Sequence, residues 1–444
     1  MAPKVSKKRK QPETSSSASF APLAELSYAE QLAIKNELSS SLVRDVQAGL
    51  TDRCGSRKYP IPQFSPIKLP ILSLPESSTM AYRNKCEFTF GADAGLGFVR
   101  RLGRSLMVDG IADDNPLVTP DMKKLVKAVK EALLPRFEIY DRDGHTKGLL
   151  RLMLVRQGTK GDLGVVVQVK HWGDDRDLEI SSLETTLTEL AKNRPDLEIS
   201  SISIQKNSGV SDACTEPGEL VFGISSAVEM QVLGLNFQVQ PLSFFQTNTA
   251  ACEMLYRMVG DWALEDSADE DKLILDLCCG VGTIGQVLAS RITKNSVRVV
   301  GVDMVASAIE DARTNASRNF QQNDKLRFEV GKVEDVLPSI LKQEFDVEIS
   351  RSVVAVVDPP RNGLHASVLR ALRETKEISR IVYVSCNPES LARDAVLLCE
   401  TLTDCPEEEG VAVSKPFEAE KIIPVDMFPH TNHCEMILRL KRKS

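Results

Sequence analysis

Residues 272–285 read KLILDLCCGVGTIG. An apolar run carrying one acid, Asp276, stops at a turn with Gly280, Gly282 and Gly285, and a helical pattern begins at Thr283. Strand, glycine turn and helix in that order form the ligand-binding edge of an open α/β sheet. Downstream the alternation continues through VRVVGVD (297–303), LRFEVG (326–331), SVVAVVDPP (352–360) and RIVYVSC (380–386), with helices expected from Val305, Leu364 and Pro388. Unbroken alternation with apolar strands predicts a parallel, doubly wound sheet covered on both faces. The last stretch, AVSKPFEAEKIIPVDMFPHTNHCEMILRLKR (412–442), has no room for crossover helices and should finish the sheet with antiparallel strands.

The glycine pattern suits a nicotinamide dinucleotide as well as S-adenosylmethionine. Asp276, just before the turn, would repel a pyrophosphate but suits a cationic amino-acid moiety. Asp303 ends the second strand, where its carboxylate can accept both ribose hydroxyls of either cofactor. Asp358 ends the fourth strand in VVDPPRNGL, at the carboxyl edge where ligands bind. S-adenosylmethionine is the cofactor these acids favour. Amino-methylating enzymes end a similar Pro-Pro turn with an aromatic residue that stacks on a base. Arg361 stands in that place here, so the reactive group has to come from elsewhere.

It is expected in the next strand. IVYVSCNPESLARD (381–394) is an apolar run that stops at Cys386. Asn387 can cap the following helix, Pro388 suits its first position and Glu389 its first turn. A thiol aimed at a helix N-terminus is expected to favour the thiolate. A thiolate solves a particular problem, because carbon 5 of a pyrimidine is a poor nucleophile. Addition of sulfur to carbon 6 makes carbon 5 an enolate carbon able to attack a sulfonium methyl. A base must then remove the carbon 5 proton so that the sulfur can leave. Glu435 in FPHTNHCEMILRL is the candidate, since an acid abutting Met-Ile-Leu should be partly desolvated and its pKa raised. Packing alone could explain Cys386, and an ordinary edge-strand position Glu435. A metal site from His430, His433 and Cys434 lacks a fourth ligand at useful spacing.

The rest of the chain reads as follows. Residues 1–25 form a basic, Ser-rich tail that is expected to be disordered, and whose lysine cluster could be a nuclear address. Residues 26–79 hold an amphipathic helix, opened by a Ser27–Glu30 capping box, and a Pro-rich linker. Residues 80–240 alternate short strands with helices near 121–135 and 181–193, an α+β domain. Arg83, Lys85, Arg100, Arg101, Arg104, Lys147, Arg151 and Arg156 gather near its strand ends, a solvated face or a local RNA-binding patch. Residues 241–444 are the doubly wound domain. The net charge of −7 gives no global sign of a nucleic-acid binder. No apolar run is long enough to span a membrane and no secretory signal opens the chain, so a cytoplasmic protein is expected, with the nucleus left open. The ten cysteines are scattered, as in a reducing compartment.

With these residues in hand, the chain resembles the RNA (uracil-5-)-methyltransferase family, most closely its eukaryotic cytosolic tRNA branch. The matching stretches are YAEQL, YRNKCEF, SFFQTN, DLCCGVGTIG, VVDPPRNGLH, YVSCNP and FPHTNHCEM, spread over residues 28–439. The resemblance implies a class I, Rossmann-like methyltransferase domain, a nucleophile at Cys386 and a proton-abstracting base at Glu435. It implies cofactor contacts from Gln246, Cys278, Thr283, Asp303 and Asp358. Bacterial relatives often carry an aromatic residue at the position of Cys278 and a glutamate at that of Asp303. The implied substrate is the T-loop uridine of tRNA, flipped out to reach the site, and the protein is expected to work as a monomer. Some relatives hold an iron–sulfur cluster through closely spaced N-terminal cysteines. Only Cys54 and Cys86 precede Cys214 here, so no cluster is expected. Residues 1–79 are too short and proline-rich for the β-barrel or RNA-recognition module of other relatives. Three alternatives stay open: a tRNA-folding factor with secondary catalysis, the same chemistry on ribosomal or messenger RNA, and a dehydrogenase.

Overall fold

The structure is a computed structural model and describes residues 20–56, 59–93, 95–102, 105–173, 177–214, 216–265, 271–293, 297–320, 324–345, 352–401 and 415–443. The basic tail, Arg104 and the Arg101 side chain lie outside the described residues.

Helix α1 (Tyr28–Ser56) opens with the expected box, in which the Ser27 N–H donates to Glu30 Oε2 at 2.9 Å. Strand β1 (Ile67–Lys68) follows. A seven-stranded sheet comes next, built from β2 (Lys85–Gly91), β3 (Gly95–Leu102), β4 (Ser105–Gly110), β5 (Leu150–Gln157), β6 (Leu163–Lys170), β7 (Ile199–Asn207) and β8 (Glu219–Phe222). Its order is β4-β3-β2-β5-β6-β7-β8. Helices α2 (Pro120–Leu133) and α3 (Asp177–Asn193) share one core with this sheet through Leu125, Val129, Leu183, Leu187, Phe88 and Val167.

A hairpin, β9 (Val228–Val232) and β10 (Leu235–Val239), and helix α4 (Thr249–Leu264) lead into the second sheet. Its elements are β11 (Lys272–Leu277), α5 (Thr283–Arg291), β12 (Val297–Asp303), α6 (Ala306–Asn319), β13 (Leu326–Val330), α7 (Val333–Phe345), β14 (Ser352–Val357), α8 (Ala366–Glu374), β15 (Ile378–Ser385), α9 (Pro388–Cys399), β16 (Phe417–Val425) and β17 (Glu435–Arg442). Strand order is β1-β16-β17-β15-β14-β11-β12-β13. Strands β11 to β15 are parallel, and β17 lies antiparallel between β15 and β16, so the last stretch completes the sheet as the sequence suggests.

Three placements differ from the sequence reading. The Pro-rich segment is part of the sheet: β1 runs parallel to β16, and the Leu69 and Leu72 N–H groups donate to Ile422 and Pro424 carbonyls at 2.9 Å. It covers an edge whose backbone groups would otherwise stand unpaired, and prolines are tolerated on an edge strand. The β9–β10 hairpin, read with the central strands, packs Val228, Met230 and Phe237 into the core of the second sheet with Leu255 and Val259 of α4. Alternation in a short strand shows that one face is buried, not against which neighbour. Finally, Arg151 and Arg156, counted with the strand-end cations, are fully buried. Arg151 Nε donates to Asp212 Oδ1 at 2.9 Å, and Arg156 donates to the Ser243 carbonyl at 2.5 Å. They fasten loops and cannot face RNA. Among the described residues, no helix is long and apolar enough to cross a membrane.

Candidate active site

Strand register brings the thiol and the acid together. Ser385, the last residue of β15, pairs with Met436 of β17. One step further along this antiparallel pair, Cys386 leaves the sheet opposite Glu435, the first residue of β17. The two positions are 49 apart in sequence, and only the hairpin return of β17 makes them neighbours. Ser385 Oγ takes the Asn387 N–H at 3.1 Å and donates back to the Asn387 carbonyl at 3.0 Å. Asn387 Oδ1 accepts the Glu389 N–H at 3.1 Å, which is the cap expected for α9, with Pro388 in the first turn. The half-buried thiol is thus held on a stiff turn.

Its electrostatics differ from the helix-terminus argument. Burial pushes the Cys386 thiol above its usual range, the Glu435 and Asp358 charges push the same way, and Arg361 opposes them by charge and by a hydrogen bond. The surroundings therefore favour the thiol over the thiolate. The Asn387 cap already occupies a free N–H of α9, and burial and two nearby carboxyls act against the thiolate that a helix dipole would favour. Glu435 is buried, and its Oε2 has no hydrogen-bond partner among the described residues. Burial first, and then the Asp358 charge, hold its pKa well above the carboxylate range, with Arg361 again opposing.

Asp358 follows β14, and its N–H reaches the Leu277 carbonyl at 3.4 Å. Burial raises its pKa to about 7. Its charge acts on Cys386 and Glu435 on one side and on Asp276 and Cys278 on the other, which places it between the thiol and the glycine turn. Arg361 is the residue the sequence argument set aside. It is exposed, yet its guanidinium reaches both the thiol and the field of Glu435. Its place in the Pro-Pro turn was the only available signal.

At the glycine turn, Asp303 Oδ2 accepts the Gly280 N–H and its Oδ1 the Val305 N–H, each at 2.9 Å, which locks the carboxylate at the end of β12. Asp276 is fully buried, with Oδ2 on the Gly285 N–H at 2.8 Å and Oδ1 without a partner among the described residues. Burial, then Asp358 and Asp303, raise it to about 7, although the Gly285 N–H pulls the other way. Gly280 has φ +53° and open space where a side chain would begin, so a ligand can approach its backbone. Cys278 is half-buried at φ +63°, its thiol raised to about 12 by burial and by Asp303 and Asp358. Thr283 is buried in the first turn of α5. Met304 and Val305 are exposed beside Asp303.

Gln246 is buried in the segment before α4, and its carbonyl accepts from Asn84 Nδ2 at 2.9 Å. Two residues on, Asn248 Nδ2 donates to the Met427 carbonyl at 3.1 Å, so this segment is tied to the loop that leads to Glu435. Cys278, Thr283 and Asp303 therefore stand together at the turn. Gln246 is anchored separately, through Asn84 and, two residues on, through Asn248.

The donor set fits S-adenosylmethionine. Converging carboxyls with a buried oxygen to spare suit a cationic ligand, Asp303 suits a ribose diol, and the exposed apolar pair suits a flat ring. A pyrophosphate would meet three acids. Of the alternative metal ligands, Cys434 Sγ donates to the Val425 carbonyl at 3.2 Å and His430 Nδ1 meets Gln31 Nε2 at 3.2 Å. Among the described residues, no group of three or more His, Cys, Asp or Glu could hold a metal ion.

Comparison with known proteins gives four findings. A family model described as a methyltransferase domain matches residues 268–418. The chain is 31% identical, over 95% of its length and 84% of the relative's, to tRNA (uracil-5-)-methyltransferase homolog B of Mus musculus. It is 32% identical, over 83% of its length, to homolog A of Homo sapiens, of which it spans only 57%. Among solved structures it resembles the Pyrococcus abyssi tRNA (uracil-54, C5)-methyltransferase in complex with S-adenosyl-L-homocysteine. That match has a TM-score of 0.63 and 25% identity, and covers 98% of this chain and 91% of the other.

Proposed function

The chain belongs to the tRNA (uracil-5-)-methyltransferase family, and on that footing we propose that it methylates carbon 5 of a T-loop uridine in tRNA through a covalent cysteine–uracil adduct. The observation that carries this reading is the opposition of Cys386 and Glu435 across β15 and β17, with Glu435 desolvated and one of its carboxyl oxygens without a partner among the described residues.

Cys386 is the nucleophile. The half-buried thiol passes its proton to solvent as the uridine enters, and the Arg361 guanidinium favours the thiolate that adds to carbon 6 of the ring. The electron pair of the carbon 5–carbon 6 double bond moves toward the carbon 4 carbonyl, so the adduct is an enolate that reacts at carbon 5. S-adenosylmethionine, when bound, would supply an electrophilic methyl carbon and keep the carbon–sulfur pair, leaving as the thioether. Asp276, Asp303 and Asp358 would hold its charged and hydroxyl-bearing parts at the carboxyl edge of the sheet, with Gln246, Cys278 and Thr283 lining the approach. Glu435 then takes the carbon 5 proton. That C–H electron pair re-forms the carbon 5–carbon 6 double bond, and the sulfur leaves with the carbon 6–sulfur pair as thiolate. A carboxylate with a raised pKa is a stronger base than an exposed one, which suits this weak carbon acid.

The test is a tRNA transcript with 5-fluorouridine at the T-loop position, incubated with the protein and S-adenosylmethionine. Fluorine cannot leave as a proton, so a covalent adduct should persist on a denaturing gel and be lost in Cys386→Ala. Methyl transfer to unmodified RNA with no adduct would overturn the covalent route.

A further inference from the structure

Nothing in the proposed chemistry accounts for a fully buried ion pair far from the glycine turn. Lys35 and Asp426 are both 0% exposed, with Lys35 Nζ at 2.6 Å from Asp426 Oδ1. Lys35 lies on α1. Asp426 begins the loop of residues 426–434 that joins β16 to β17 and ends at Glu435.

The pair is the centre of a clamp. Lys35 Nζ also donates to the Phe428 carbonyl at 2.8 Å, and the Tyr28 hydroxyl donates to Asp426 Oδ2 at 2.9 Å. Gln31 Oε1 accepts the His430 N–H at 2.8 Å, at a residue held in the left-handed region at φ +67°. Tyr28, Gln31 and Lys35 are spaced three and four apart, so they share one face of the helix. From the other side, Asn248 takes the Met427 carbonyl, and the Tyr82 hydroxyl donates to the Pro429 carbonyl at 3.1 Å. Backbone groups at Met427, Phe428, Pro429 and His430 are thus each held by a side chain from a distant part of the chain.

The same helix reaches the other reactive residue. The later turns of α1 bury Leu42, Val46 and Leu50 in a core with Leu391, Ala395 and Leu398 of α9, the helix that starts two residues after Cys386. At Gly49 the two helices approach so closely that a Cβ would lie 2.8 Å from Val396. Arg53 Nε meets Glu400 Oε2 at 2.5 Å near the end of α9. One rigid rod therefore touches the element after the nucleophile and the loop before the base.

A buried ion pair is weak evidence for stability, because well-packed apolar side chains in its place are often neutral or stabilising. What it supplies is direction: an ammonium and a carboxylate without water are satisfied in one arrangement only. We propose that α1 is a ruler for the reaction, in which Lys35, backed by Tyr28 and Gln31, is a positioning residue that holds Glu435 in reach of the carbon 5 proton of the Cys386 adduct. This rests on the covalent mechanism above. It separates two steps. Formation of the adduct and methyl transfer need Cys386 on its own stiff turn. Its breakdown, in which Glu435 takes the proton and the carbon 6–sulfur bond breaks to regenerate thiolate, needs the loop in place.

The experiment uses the full chain, S-adenosylmethionine and unmodified tRNA transcript, quenched in detergent and resolved on a denaturing gel. The variants are Lys35→Met and the double variant Lys35→Met with Asp426→Asn, which leaves no unpaired buried charge. Binding of S-adenosylhomocysteine by calorimetry reports the folded site, and Glu435→Gln is the reference. The expected result is normal ligand binding, single-turnover methyl transfer within about threefold of the parent, and release of the methylated RNA slowed about tenfold or more. The covalent species should accumulate as it does in Glu435→Gln. Equal loss of transfer and release, no change in either, or loss of ligand binding in both variants would overturn the proposal. If neither the parent on 5-fluorouridine RNA nor Glu435→Gln forms an adduct, the covalent mechanism itself fails, and the positioning role falls with it.

Discussion

Asn387 Nδ2 donates to the Arg361 carbonyl at 3.0 Å, while the Oδ1 of the same side chain caps α9. The turn after the thiol and the turn that bears the guanidinium are therefore one unit. Arg361 stays beside Cys386 because Asn387, the neighbour of that cysteine, holds its backbone there.

Loss of that guanidinium has a predictable sign. Its charge lowers the pKa of both Cys386 and Glu435 against burial. Arg361→Met should move the rising limb of single-turnover methylation to higher pH by about one unit or more, since an adjacent opposite charge shifts a titration by that amount. Rates measured between pH 6 and 10 check this. An unmoved profile would mean that Arg361 serves the RNA backbone and not the thiol.

Asp276 should trade stability for ligand binding. Its acid is raised to about 7 in the folded protein, as is that of Asp358. Stabilisation from such groups is full below their ordinary range and is lost as pH rises through the folded value. The ligand-free protein should therefore melt at a lower temperature at pH 8 than at pH 5.5. Asp276→Asn should flatten part of that slope and raise the pH 8 melting temperature by a few degrees. It should also weaken S-adenosylmethionine binding about tenfold or more, because the cationic ligand loses a nearby charge. Scanning fluorimetry across pH and calorimetry read both effects, and a melting temperature that rises with pH would contradict the assignment.

Phe244 is 72% exposed, beside the buried Phe245 and Gln246. An exposed aromatic ring can stack on an unpaired base, an interaction of roughly 1–3 kcal/mol. Phe244→Ala should weaken T-arm RNA binding by about tenfold and leave the melting temperature and S-adenosylhomocysteine binding unchanged. Fluorescence anisotropy with a labelled hairpin measures it.

Gly282 caps α5 at φ +74°, and a Cβ there would lie 2.6 Å from the Phe328 ring. Gly282→Ala should cost about 1–3 kcal/mol in stability from the backbone alone, more with the ring contact, and abolish cofactor binding. Urea denaturation and calorimetry report the two losses.

Much of this molecule is legible in its sequence, and the legible parts are local. The capping box at Ser27 and the Asn387–Pro388 start of α9 are written in residues three or fewer apart, and they form as read. The misreadings concern partners. Arg156 looks like a surface cation because nothing nearby in sequence reveals that Ser243 will cover it. Pro66 and Pro70 look like a linker, although the residues between them find β16. The thiolate expected at Cys386 is disfavoured because helix dipole and cap are local, whereas the burial and the carboxyls that oppose them come with β14 and β17.

By itself the sequence determined the strand–turn–helix repeats, the glycine turn with its acid and the strand that ends on a cysteine, because periodicity, caps and backbone sterics act within a few residues. Only the tertiary structure decided that Glu435 faces Cys386, that the Arg361 charge acts on both, and that Lys35 pairs with Asp426 across 391 positions. Those outcomes depend on register between distant strands and on charges summed in a dry interior. Both come into being only when the chain has closed on itself.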